Sequence, residues 1–234
     1  MTGWRFDFHG LRLEARVSGA LWWPEGRWLL VADLHLGKSE RMARRGGPLL
    51  PPYESIATLD RLGQEVAALD PLRIVSLGDG FDDDLAGRQA DPIIRHALGR
   101  LAHGRDWLWL CGNHDPSCPE GHPGEAEAVF HLGAVLLRHE AVSGDGPDIS
   151  GHFHPVLRLA GERKRTFLVG DQHLILPAFG AYTGGLPYDD PALRRLVPEG
   201  LALACGRQIH ALPIRGDASG WNTKKGRQWR PGLR

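Results

Sequence analysis

Three short apolar runs set the limits on what this chain can become. Trp28 to Ala32, Arg73 to Leu77 and Trp107 to Cys111 each have the length and composition of a buried strand. Each run is followed by polar or glycine residues: Asp33-Leu34-His35, Gly78-Asp79-Gly80 and Gly112-Asn113-His114-Asp115. Between the first two runs, Ile56, Leu59, Leu62, Val66 and Leu69 recur at spacings of three and four, which predicts an amphipathic helix over Ser55 to Leu69. A second stripe, Ile93, Ile94, Ala97, Leu98 and Leu101, is opened by Asp91-Pro92 in capping order. Strand, helix, strand, helix, strand is the βαβ pattern of a parallel sheet, and such sheets bind ligands beyond the carboxyl ends of their strands.

The flanking segments extend this frame. Trp4 to Val17 alternates apolar and polar residues with a turn at His9-Gly10, and Ala20 to Trp23 pairs through Pro24-Glu25-Gly26 with the first run. Ala134 to Leu137 reads as a strand ending in Arg138-His139-Glu140, and Asp148 to Pro155 contains Gly151-His152-Phe153-His154. Thr166 to Val169 and His173 to Leu176 read as a hairpin, whereas Pro116 to Gly133 reads as a loop beside the site. With 234 residues the chain can bury one sizeable core, so residues 1–220 are expected to form one domain. Residues 221–234 carry Lys224, Lys225, Arg227 and Arg230 without an acid and are expected to be a basic, flexible tail.

Asp33 and His35 are two residues apart, as are His152 and His154, so in extended backbone each pair shares a face. Singly, each motif has a plain structural reading: Asp33 can cap a turn, His35 can be a satisfied core histidine, and Gly-Asp-Gly is turn chemistry. Together they place Asp, Asn or His after an apolar run in five places, on one rim of the fold. Carboxylate, amide and imidazole ligands without thiolate favour manganese, iron or zinc. Two such ions, about 3.5 to 4 Å apart, need a bridging carboxylate.

In order, DLH, GDGFDD, GNHD, RHE and GHFH resemble the motif series of the calcineurin-like metallophosphoesterase superfamily. The resemblance covers most of Asp33 to His154 and implies a four-layer α/β/β/α sandwich, mixed sheets flanked by helices. It also implies one divalent ion, most often Mn2+, on Asp33, His35, Asp79 and His154, and a second on Asp79, Asn113, His139 and His152. His139, at the carboxyl end of its strand, is preferred to His131 at the other side. His114 is left to protonate the leaving oxygen, with Asp115 to hold its ring, while hydroxide attacks phosphorus in line. Many relatives have His or Asn shortly after the bridging Asp; here Gly80-Phe81-Asp82-Asp83-Asp84 follows, in which Asp82 and Asp83 read either as groups that support the ligands or, the preferred reading, as a solvated acidic loop.

The longer strings VADLHLGKS and LPAFGAYTGG resemble the ligase-associated DNA-damage-response endonucleases, which implies DNA as substrate and a repair setting with DNA ligase, helicase and exonuclease. Lys38, Arg41, Arg44 and Arg45 and the basic tail are the groups that could track phosphates, and Phe179 and Tyr182 could stack bases or fill the core. The alternative is a small-molecule phosphatase or nucleotide pyrophosphatase. No apolar run is long enough to cross a bilayer, and MTGWRFDFHG lacks a basic start followed by an apolar stretch, so a cytoplasmic protein is expected. Cys111, Cys118 and Cys205 have no CxxC spacing, so neither a disulfide framework nor a zinc site is expected, and Cys111 reads as a buried thiol.

Overall fold

The computed structural model describes residues 3–47, 53–117 and 121–216. The first sheet runs β1 (Gly3–Phe8), β2 (Leu11–Arg16), β3 (Leu21–Trp23), β4 (Trp28–Val31), β5 (Arg73–Leu77), β6 (Asp106–Leu110) and β7 (Glu125–Glu127), in that spatial order. Its first three pairings are antiparallel, and β4 to β7 are parallel. The crossovers hold α1 (Lys38–Arg44) and α2 (Glu54–Leu69), then α3 (Asp84–Arg88) and α4 (Pro92–Ala102). Asp91 caps α4 as its sequence predicts, its carboxylate accepting from Ile93 N at 2.7 Å.

The second sheet uses β8 (Val129–Leu132), β9 (Val135–Arg138), β10 (Asp148–Ser150), β11 (Val156–Leu159), β12 (Glu162–Val169), β13 (His173–Ile175), β14 (Gly200–Cys205) and β15 (Ile209–Ile214). Their spatial order is 15-14-12-13-10-9-8, with β11 paired to β12 at the side. A last helix, α5 (Pro191–Leu196), precedes β14.

Side-chain alternation assigns the layers. Leu30, Ala32, Val75, Leu77, Leu108 and Leu110 point from the first sheet toward Leu137, Ile149, Phe167, Leu174 and Leu203 of the second. Their neighbours Leu29, Val31, Ile74, Trp107 and Trp109 face Leu59, Leu62 and Val66 of α2 and Ile94 and Leu98 of α4. Leu168, Ile175 and Ala202 turn away from the first sheet to meet Leu193 of α5. The result is the expected four-layer α/β/β/α sandwich.

The segment expected to be a loop, Pro116 to Gly133, contains β7 and β8. Glu125-Ala126-Glu127 is an exposed edge strand, so it carries no apolar period to betray it. The proposed tail, 221–234, lies outside the described residues. Among the described residues no helix is long and apolar enough to cross a membrane.

Candidate metal centre

The carboxyl ends of β4, β5, β6, β9 and β10 meet at one edge of the sandwich and deliver Asp33 and His35, Asp79, Asn113 and His114, His139, and His152 and His154 respectively. Asp33, His35, Asp79 and His139 are buried, whereas Asn113 is open to solvent. The convergence does not come from a strand pleat, as the two-residue spacing led one to expect. Asp33, His35, Asp79, His152 and His154 all have positive φ, from 46° to 68°, in the left-handed region. Non-glycine residues there cost about 1–3 kcal/mol each and persist where the surroundings hold them for function.

The ligand atoms form two groups. In the first, His154 Nε2 lies 3.3 Å from Asp33 Oδ1 and 3.4 Å from His35 Nε2. In the second, Asn113 Oδ1 is 2.9 Å from His139 Nε2 and 3.0 Å from His152 Nδ1, and the two ring nitrogens are 3.1 Å apart. Asp79 stands between them, its Oδ2 being 3.8 Å from His35 Nε2 and 3.5 Å from His139 Nε2. Its other oxygen accepts from His114 N at 2.9 Å. Gly112 makes room for this, because a Cβ there would sit 2.0 Å from Asp79 Oδ1.

Proton positions show that these groups fit a cation. His139 Nδ1 donates to Leu77 O at 3.0 Å, so in the neutral ring Nε2 offers a lone pair to Asn113 Oδ1, itself an acceptor. His35 Nδ1 donates to Asp82 Oδ1 at 2.8 Å, and its Nε2 lone pair then faces His154 Nε2. At His139 a lone pair then meets an acceptor oxygen, a contact that a cation between them would relieve. Three clusters among the described residues have ligand atoms within 4.8 Å of one another: Asp33, His35 and His154; His35, Asp79 and His114; and Asp33, Asp79 and His139. Of the two histidines flanking β9, His139 is in the centre and His131 is exposed on β8.

Local electrostatics follow the same arrangement. Burial pulls the Asp33 carboxyl up, but the hydrogen bond and charges of the surrounding imidazoles bring it below its ordinary value. Burial, together with repulsion from His139, lowers His152. Asp115 is pushed up to about 7 by burial, with Asp79 adding to the rise.

Two expectations about supporting groups change. Asp115 does not hold the His114 ring: its carboxylate accepts from Phe81 N at 2.9 Å and Gly112 N at 3.2 Å, bracing the two loops. The ring is oriented by the Asp82 carbonyl, 3.0 Å from His114 Nδ1, which leaves Nε2 free. Nor is the acidic run a solvated loop. Asp82 is fully buried, bonded to His35 and to Arg41 Nη1 at 2.7 Å, and Asp83 caps α3 while pairing with Arg44 at 2.8 Å. Arg41 and Arg44 are therefore committed to carboxylates rather than offered to phosphates. The readable signal was charge complementarity between Asp82-Asp83 and the basic face of α1. Cys111 is half-buried and disulfide-bonded, against the expectation of a buried free thiol.

Among solved structures, one shares this fold over nearly the whole chain. A nuclease, MPE, from Pseudomonas putida is 28% identical, with a TM-score of 0.70 over 90% of this chain and 100% of that one. This chain shares the fold of that nuclease, and its motif series resembles that of the calcineurin-like metallophosphoesterases. Two more distant phosphoesterase structures, Yfce from E. coli (16% identity, TM-score 0.40, 80% of this chain and 99% of that one) and a conserved uncharacterised protein from Streptococcus pneumoniae TIGR4 (14%, 0.34, 80% and 96%), carry no weight at those scores. No protein-family model matches the chain, and no curated protein matches it significantly. The spread of candidate ligands over five strand ends makes the four-layer frame itself the part that positions the centre.

Proposed function

We propose that this chain is a metallophosphoesterase, a two-metal phosphodiesterase that cuts DNA internally as an endonuclease serving repair. The observation that carries the reading is the paired ligand groups sharing Asp79, with the His114 ring at their edge and 4.9 Å from His35, centroid to centroid. Asp33, His35, Asp79 and His154 would hold one divalent ion, and Asp79, Asn113, His139 and His152 the other. Such ions, when bound, neutralise phosphoryl charge and lower the pKa of water. Manganese is the favoured pair, with iron or zinc compatible with the same donors.

The chain's own residues do the rest. Asn113, exposed at the rim, sits where a phosphoryl oxygen would enter. His114 keeps its Nδ1 proton on the Asp82 carbonyl, so Nε2 is the atom that would carry a proton to the leaving oxygen. A nuclease neighbour at 28% identity and the strings VADLHLGKS and LPAFGAYTGG favour DNA over a small phosphate ester. The same strings favour work beside a DNA ligase, helicase and exonuclease.

The test is a panel of circular and linear, single- and double-stranded DNA with each divalent metal, with mononucleotides and nucleotide pyrophosphates alongside. Cleavage of circular DNA supports an endonuclease. Hydrolysis of the small molecules with all DNA left intact overturns it in favour of a phosphatase or pyrophosphatase.

A further inference from the structure

Beside the first ligand group lies a cavity of about 360 Å³ that none of the metal-binding residues explains. Its walls include His154, the consecutive Arg163, Lys164 and Arg165 of β12, and Tyr182 and Thr183 of the glycine-rich loop. This loop is a strap anchored on two members of the same ligand group. At one end Gly180 N donates to Asp33 O at 3.0 Å. At the other, Gly185 lies so close to His154 that a Cβ would come within 2.1 Å of its carbonyl oxygen. Two arginines fix the strap from below: Arg165 donates to Gly180 O and Arg163 to Gly185 O, both at 2.8 Å.

The charges here are unbalanced. Lys164 pairs with Glu162, but among the described residues neither Arg163 nor Arg165 has an ion-pair partner. Arg165 is half-buried, and its burial depresses its pKa, the expected cost of a desolvated cation without a counter-ion. At the apex Tyr182 is 49% exposed, although its backbone is held at φ 55°, so a large ring is fixed in solvent beside the cavity mouth. Phe179, the other aromatic of this stretch, is fully buried under Arg61 and belongs to the core.

We propose that this cavity is a flanking-nucleotide subsite, in which Arg163 and Arg165, on one face of β12, take the phosphate next to the one being cut and Tyr182 stacks on its base. The proposal rests on the phosphodiesterase reading for its register, since the cavity shares His154 with the metal centre. Arginine forks suit phosphate oxygens, and every base presents a π-face to a fixed ring. The subsite would let the enzyme act on a chain of nucleotides rather than on an isolated phosphate ester.

The test is fluorescence anisotropy with labelled oligodeoxyadenylate and an abasic oligonucleotide of equal length, on the full chain. Tyr182→Ala should weaken binding of the adenylate about 5- to 100-fold, and the abasic chain by less than twofold. Arg163→Gln should weaken both and reduce the slope of log Kd against log salt by about 0.7. Arg195→Gln removes the same charge on α5 and should leave both Kd values unchanged. Kd values within twofold of wild type for Tyr182→Ala and Arg163→Gln, or equal losses for Arg195→Gln, overturn the subsite, as does a wild type that binds neither oligonucleotide. Wild-type turnover of bis(p-nitrophenyl) phosphate, measured in parallel, separates the two claims. Binding without turnover fails the phosphodiesterase reading alone, and turnover with unaltered Kd fails the subsite alone.

Discussion

The Asp82 carboxylate, fully buried, lies 2.8 Å from His35 Nδ1 and 2.7 Å from Arg41 Nη1. Burial alone would raise its pKa, but the bonds from His35 and Arg41 overrule burial and lower it, so it stays ionised and holds the His35 ring with Nε2 turned inward. Asp82→Asn should therefore weaken divalent-metal affinity by about 10- to 100-fold and leave activity recoverable at high metal. Titration of activity against Mn2+ reads this, and an unshifted metal dependence would refute the positioning role.

His114 and Asp115 are neighbours with separate tasks. His114→Ala should lower kcat by about 10²–10⁴ with little change in Tm, because the half-buried ring makes one bond to a backbone carbonyl. Asp115→Ala should do the reverse in emphasis. It strands the buried Phe81 and Gly112 N–H groups, at about 1–3 kcal/mol each, and is read by chemical denaturation. A stable Asp115→Ala protein as inactive as His114→Ala would restore a direct catalytic link between the two.

Gly112 is the tightest point of the centre, where an added Cβ would lie 2.0 Å from Asp79 Oδ1 and 2.3 Å from Asp79 N. One contact is with backbone, so relaxation must move Asp79. Gly112→Ala should cost about 1–3 kcal/mol of stability and displace Asp79, weakening metal binding at least about tenfold. Wild-type metal affinity in this variant would show that the carboxylate is less constrained than its surroundings imply.

Away from the site, Glu14 accepts from Arg5 at 3.0 Å and from Arg16 at 2.6 Å, and Arg16 reaches Glu65 of α2 at 3.0 Å. Burial pulls the Glu14 pKa up, and the two arginine hydrogen bonds together bring it below its ordinary value. A depressed carboxylate adds stability above its unfolded pKa, about 4.3, that is lost as pH falls through the folded value. Tm should therefore fall on acidification below that pH, and less steeply in Glu14→Gln; parallel slopes would argue against it.

The sequence was informative where one physical rule acts alone. Buried parallel strands and the striped helices α2 and α4 were legible because burial on both faces and a 3.6-residue period leave plain patterns. β7 was not, because Glu125-Ala126-Glu127 is exposed and pairs only through its backbone. At the centre the residue types were legible but their geometry was not: Asp33 and His35 converge through left-handed backbone, which no side-chain period reports. Asp82 read more readily as a solvated acid than as a supporting group because its partners, His35 and Arg41, lie more than 40 residues away in sequence. Arg41 and Arg44 looked free for phosphate for the same reason.

The central claim is that Asp79 joins two ions into one phosphodiester-cleaving centre. It is tested most directly by measuring bound manganese per chain in reconstituted wild type and Asp79→Asn, with turnover of circular single-stranded DNA on the same samples. The account predicts two ions per wild-type chain with cleavage, and one or fewer without cleavage in Asp79→Asn. A single ion in active wild type, or two ions and undiminished cleavage in Asp79→Asn, would contradict it.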